Sequence, residues 1–138
     1  MTNKTSLTFA LMDAPFESAR STTALRLLDI AAARGFHIGV FAYEGAVMQT
    51  FALQRPHANT VHGRSAEEEN HFLPKDAIAA LFDAAKRHGG SLDWVNCGLC
   101  VDERGGAESI PGVRRGTPGD FWQQAKDSVN TLVIATSD

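Results

Sequence analysis

A chain of 138 residues with 43% hydrophobic and 21% charged side chains has the composition of one globular domain, 1–138, and is too short for two. A formal charge of −3 offers no broad basic field to a nucleic acid or an anionic membrane. No apolar run approaches the ~18 residues that cross a bilayer, and two cysteines are too few for a secreted disulfide framework, so a cytoplasmic setting is expected.

Leu7 to Met12 is almost continuously apolar, as in a parallel strand covered on both faces, and is too short for the core of a signal peptide. Asp13 to Ser18 reads as a polar turn. It carries neither glycine-rich phosphate-binding pattern, so it gives no pointer to a nucleotide. Ala24, Leu27, Leu28 and Ala31 then recur at helical spacing in a helix expected over 19–34, which Gly35 stops. With Phe36 to Ala42 as the second strand, the opening is a right-handed βαβ unit. A short helix is expected over 46–53.

Residues 54–71 show no periodicity. They hold His57, His62 and His71, three of the five histidines, and the acidic run Glu67, Glu68, Glu69, which reads as a solvated face. A structureless connection of this length is usually functional or mobile. Pro74 suits the first turn of a helix running to about Arg87, with Ile78, Leu81, Phe82 and Ala85 inward. Leu92 to Asn96 is the third strand, with Trp94 in the core. A short strand is expected around Val113, a helix over 117–128 and a last strand over 131–135. Phe121 and Trp122 are adjacent, so a helix turns only one of them fully inward and leaves the other for a subunit interface. The expected fold is α/β: a three-layer, open, mostly parallel, flavodoxin-like sheet of about five strands with helices on both faces.

The third strand runs straight into Cys97 and Cys100, spaced C-x-x-C. In open α/β sheets the active crevice lies beyond the carboxyl ends of the strands, which is where Cys97 falls. If a helix begins near Leu99, its exposed amides favour a Cys97 thiolate. Arg104, Arg114 and Arg115 add positive potential if they approach the sulfur. Three chemistries share the spacing. A zinc site needs four ligands, two of them from the histidine-bearing loop. A dithiol–disulfide redox pair and a persulfide carrier both proceed by thiolate attack on a sulfur–sulfur bond, so spacing does not separate them. Two inert cysteines in a non-catalytic subunit of an oligomer are the remaining reading.

The stretch from Val95 through Cys97, Gly98, Cys100 and Arg104 to Gly105 resembles the C-G-x-C-x-x-x-R-G segment of small DsrE/DsrF-like proteins. Gly112 to Thr117, the aromatic pair at 121–122, the strand around Leu132 and the opening from Thr22 to Leu28 are similar as well. The histidine-bearing loop, 54–71, finds no counterpart. The resemblance implies a sulfur-relay fold assembled as trimers or hexamers, without cofactor or metal, that exchanges sulfur with donor and acceptor proteins. In that family the cysteine eight positions before the glycine of R-G carries sulfur, and here that residue is Cys97. Cys100 matches a second cysteine of some branches. It either packs in a secondary role or resolves a persulfide on Cys97 as a disulfide. Asn96, Gly98, Arg104 and Arg114 are the expected supporting residues.

Overall fold

Strands β1 (Ser6–Leu11), β2 (His37–Ala42), β3 (Ser91–Cys97), β4 (Arg114–Gly116) and β5 (Asn130–Ile134) form one sheet in the order β4-β3-β2-β1-β5. The computed structural model describes residues 5–136. Every pairing is parallel, with Phe9 opposite Val40 on one side and Leu132 on the other, and with Cys97 opposite Gly116 at the sheet's end. Parallel neighbours need long crossovers. The chain steps outward through α1 (Ala19–Ala33), α3 (Pro74–Arg87) and α4 (Gly98–Glu103), then returns through α5 (Pro118–Asp127) to the far side of β1. Because such crossovers are right-handed, reversing direction moves the helix to the other face. Accordingly α1 and α3 pack side by side on one face, and α5 alone lies across β1, β2 and β3 on the other.

Side-chain alternation follows from this. Val40, Trp94 and Ile78 are fully buried between the sheet and the α1–α3 layer, each such burial stabilising the fold by roughly 1.5–3 kcal/mol. On the opposite face Phe41 stacks on Phe121 at 5.6 Å, and Gln124 lies against Gly39. Phe121 is thus the inward aromatic, while Trp122 is 75% exposed. Val133, on the same face but beyond the helix, is also open to solvent.

Two segments differ from expectation. The short helix is of the 3-10 kind and runs over Glu44–Thr50 rather than 46–53. At three residues per turn Val47 and Thr50 fall on one side, and both are buried with Ala46. Within 54–71 lies a further helix, α2 (Ala66–Glu69), started by a capping box between Ser65 and Glu68 and ended by Asn70 in the left-handed region. The acidic run is only partly solvated: Glu69 accepts from Asn59 at 3.2 Å and lies 3.8 Å from Arg64.

Candidate functional site: two thiols at the β3–α4 junction

β3 delivers Cys97 to the carboxyl edge of the sheet, where the chain turns at once into α4 with Cys97 as its N-cap residue. Cys97 is 8% exposed and belongs to the core, in the same cluster as Val95 and Val101. Cys100, one turn further on, is partly open, and both cysteines are free thiols. Across from them β2 ends, and Glu44 donates its backbone N–H to Cys100 Sγ at 3.1 Å. Glu44 has φ 53°, left-handed backbone that costs a non-glycine residue about 1–3 kcal/mol. Its neighbours hold it there. The Tyr43 N–H donates to the Leu11 carbonyl and the Ala46 N–H to the Met12 carbonyl, both at 3.1 Å. Gly45 sits so close to Ala14 that a Cβ there would meet the alanine methyl at 2.8 Å.

Burial pushes the Cys100 thiol above its ordinary range, and the neighbouring Cys97 thiol pushes it further. The Glu44 amide and the Arg104 charge pull the other way but do not prevail. Cys100 therefore keeps its proton at neutral pH. Tyr43, at the same edge, is likewise raised by burial, with Glu44 and Cys100 adding to the effect.

The arginines divide their work. Arg104 is the cation at the thiols. It donates to the Cys100 carbonyl at 3.2 Å and lies 3.8 Å from Glu44. Arg115 braces α4, reaching the Gly98 carbonyl at 2.7 Å and Asp102 at 2.9 Å. Arg114 is not brought to the sulfur. It turns back along β3 to Asp93 at 2.9 Å and reaches Asp120 at 3.2 Å. That guanidinium, by hydrogen bonding, holds the Asp93 carboxyl below its usual range. Gly116 allows this packing, since a Cβ there would come within 2.4 Å of the Asp120 carboxylate.

Asn96 faces away from the thiols into the α3 layer, 1% exposed. It accepts from Trp94 Nε1 at 3.1 Å and donates to Thr50 Oγ1 at 2.8 Å and Ser109 Oγ at 3.2 Å. It therefore ties β3 to the 3-10 helix and to the segment after α4, supporting the site from behind. The His57 and His71 rings lie 4.4 Å apart with their planes tilted, beside Phe16, and His62 is exposed. Among the described residues no three His, Cys, Asp or Glu side chains are grouped to hold a metal ion.

The model of the DsrE/DsrF-like family matches residues 5–134. The chain belongs to this family. DsrE/DsrF-like proteins are associated in general with sulfur relay. Its fold is similar to that of the YchN protein from Escherichia coli, with 18% identity, TM-score 0.72, and coverage of 94% of this chain and 98% of that one. It is also similar to a conserved protein of unknown function from Bacteroides thetaiotaomicron, with 13% identity, TM-score 0.50, and coverage of 93% and 94%. No curated protein matches the sequence. No helix of the described residues is long and apolar enough to cross a membrane.

The Glu44 amide and Tyr43 are the parts of the site that sequence reading missed. Their one signal is the Glu44-Gly45 dipeptide at a strand end, which marks a turn but not the direction of its N–H.

Proposed function

We propose that this DsrE/DsrF-like protein is a sulfur carrier that holds sulfane sulfur as a persulfide on Cys97 and passes it to a partner protein. One observation carries the reading: Cys97 caps a helix at the carboxyl end of an interior parallel strand, with a second free thiol in the first turn of that helix. A cysteine so placed acts by thiolate attack on a sulfur–sulfur bond, the step by which sulfane sulfur is taken up. Donor and acceptor are taken to be proteins of a reducing cytoplasm, and the chain to work as a homo-oligomer, trimer or hexamer, in which exposed Trp122 lies in the contact between copies. Loading with polysulfide followed by mass spectrometry tests this. Wild type and Cys100→Ser should gain the mass of sulfur on the peptide bearing residue 97, and Cys97→Ser should not. Equal loading of Cys97→Ser would end the assignment.

A further inference from the structure

We propose that Cys100 is a discharging thiol: it converts an unclaimed persulfide on Cys97 into a Cys97–Cys100 disulfide and releases hydrosulfide. The inference rests on Cys97 being the sulfur-bearing residue. Four observations support it. The two free thiols occupy the cap and the third position of one helical turn, positions that face each other. Cys100 lies on the solvent side of Cys97, which is only 8% exposed. Its sulfur is also fixed from outside α4. The Glu44 N–H, aimed by a left-handed backbone that needs holding on both sides, fastens Cys100 Sγ at 3.1 Å. A cysteine that merely packs requires no such strained donor. Finally, burial and Cys97 keep a proton on Cys100, which the departing sulfur needs.

The step balances without any outside oxidant. The Cys100 sulfur bonds to Cys97 Sγ, and the bond from Sγ to the outer sulfur breaks. The outer sulfur leaves with the bonding pair and takes the Cys100 proton, so persulfide anion and thiol become disulfide and hydrosulfide. The sulfane sulfur is reduced, and the two cysteine sulfurs are oxidised. Reduction by a dithiol then returns the protein to its resting state. Discharge competes with transfer, so a persulfide persists only while an acceptor takes it faster than Cys100 does.

The test follows one loaded sample over time. Wild type, Cys100→Ser and Cys100→Ala are loaded with polysulfide, freed of excess reagent, and kept anaerobic without acceptor or reductant. Intact mass and released sulfide are measured together. Wild type should lose one sulfur and two hydrogens, release one equivalent of sulfide, and yield a peptide cross-linked through residues 97 and 100. Both variants should hold their sulfur at least about tenfold longer. The proposal is overturned if wild type keeps its sulfur as long as the variants do, if the sulfur moves to Cys100 without release, or if the variants fail to load although wild type does. Absence of sulfur on Cys97 in all three proteins removes the carrier reading and this step with it.

Discussion

Cys100 stands above the ordinary thiol range because it is partly buried and lies beside a second thiol, Cys97. A raised value means a protonated, slow nucleophile at neutral pH. Its alkylation by iodoacetamide should therefore lag that of a free peptide thiol at neutral pH and reach its plateau at a more alkaline pH. Cys97→Ser removes one of the groups that raise it, so the plateau should shift back toward neutral. Alkylation as fast as in an unfolded peptide would contradict the placement. Asn96 makes a different kind of prediction. Replacing it with Leu leaves the buried Trp94 N–H without its acceptor, while Thr50 and Ser109 keep the bond between their hydroxyls, at a cost of about 1–3 kcal/mol in urea unfolding. At this scale the spacing of Cys97 and Cys100 could be read from sequence. The direction in which Asn96 points could not, because it depends on where the neighbouring strands and the 3-10 helix come to lie.

Among the elements, β4 is the most dependent on side chains. It has three residues and pairs only with β3, and Arg114 secures it to Asp93 on β3 and to Asp120 on α5. The depressed Asp93 carboxyl contributes stability that is complete above the ordinary aspartate value, near ~3.9, and is lost as pH falls through the lower folded value. Arg114→Gln should therefore destabilise the protein at neutral pH by about 1 kcal/mol or less, since both groups are half exposed. The difference from wild type should shrink in acid, and an unfolding series across pH checks it. A difference constant with pH would mean that Arg114 acts through packing alone. The long helices were legible because their apolar positions repeat at helical spacing and Pro74 or a glycine marks their ends. The 3-10 helix and α2 span too few residues for periodicity to show. The Ser65 and Glu68 capping signal was present in the sequence but belongs to a helix of one turn.

At the scale of the molecule, one sheet face is covered by two long helices and the other by α5 alone, leaving Trp122 and Val133 in solvent. The proposed oligomer would cover that thinner face. Sedimentation should give a mass above the 14.9 kDa of one chain, and Trp122→Gln should lower it. A wild-type monomer, or an unchanged assembly in the variant, would remove Trp122 from the contact. The alternation of strand and helix predicted the architecture well because each element's burial pattern repeats along the chain. Which face carries fewer helices was not visible, since it depends on the strand order. That order has a consequence for synthesis. Central strand β1 receives one of its two neighbours only when β5 is made, Leu7 pairing with Asn130 and Leu11 with Ile134. On the ribosome, the nascent sheet waits with a bare hydrophobic margin until its last strand emerges. A message truncated before that point encodes a chain whose sheet ends on a bare, apolar β1, a template on which nascent chains aggregate.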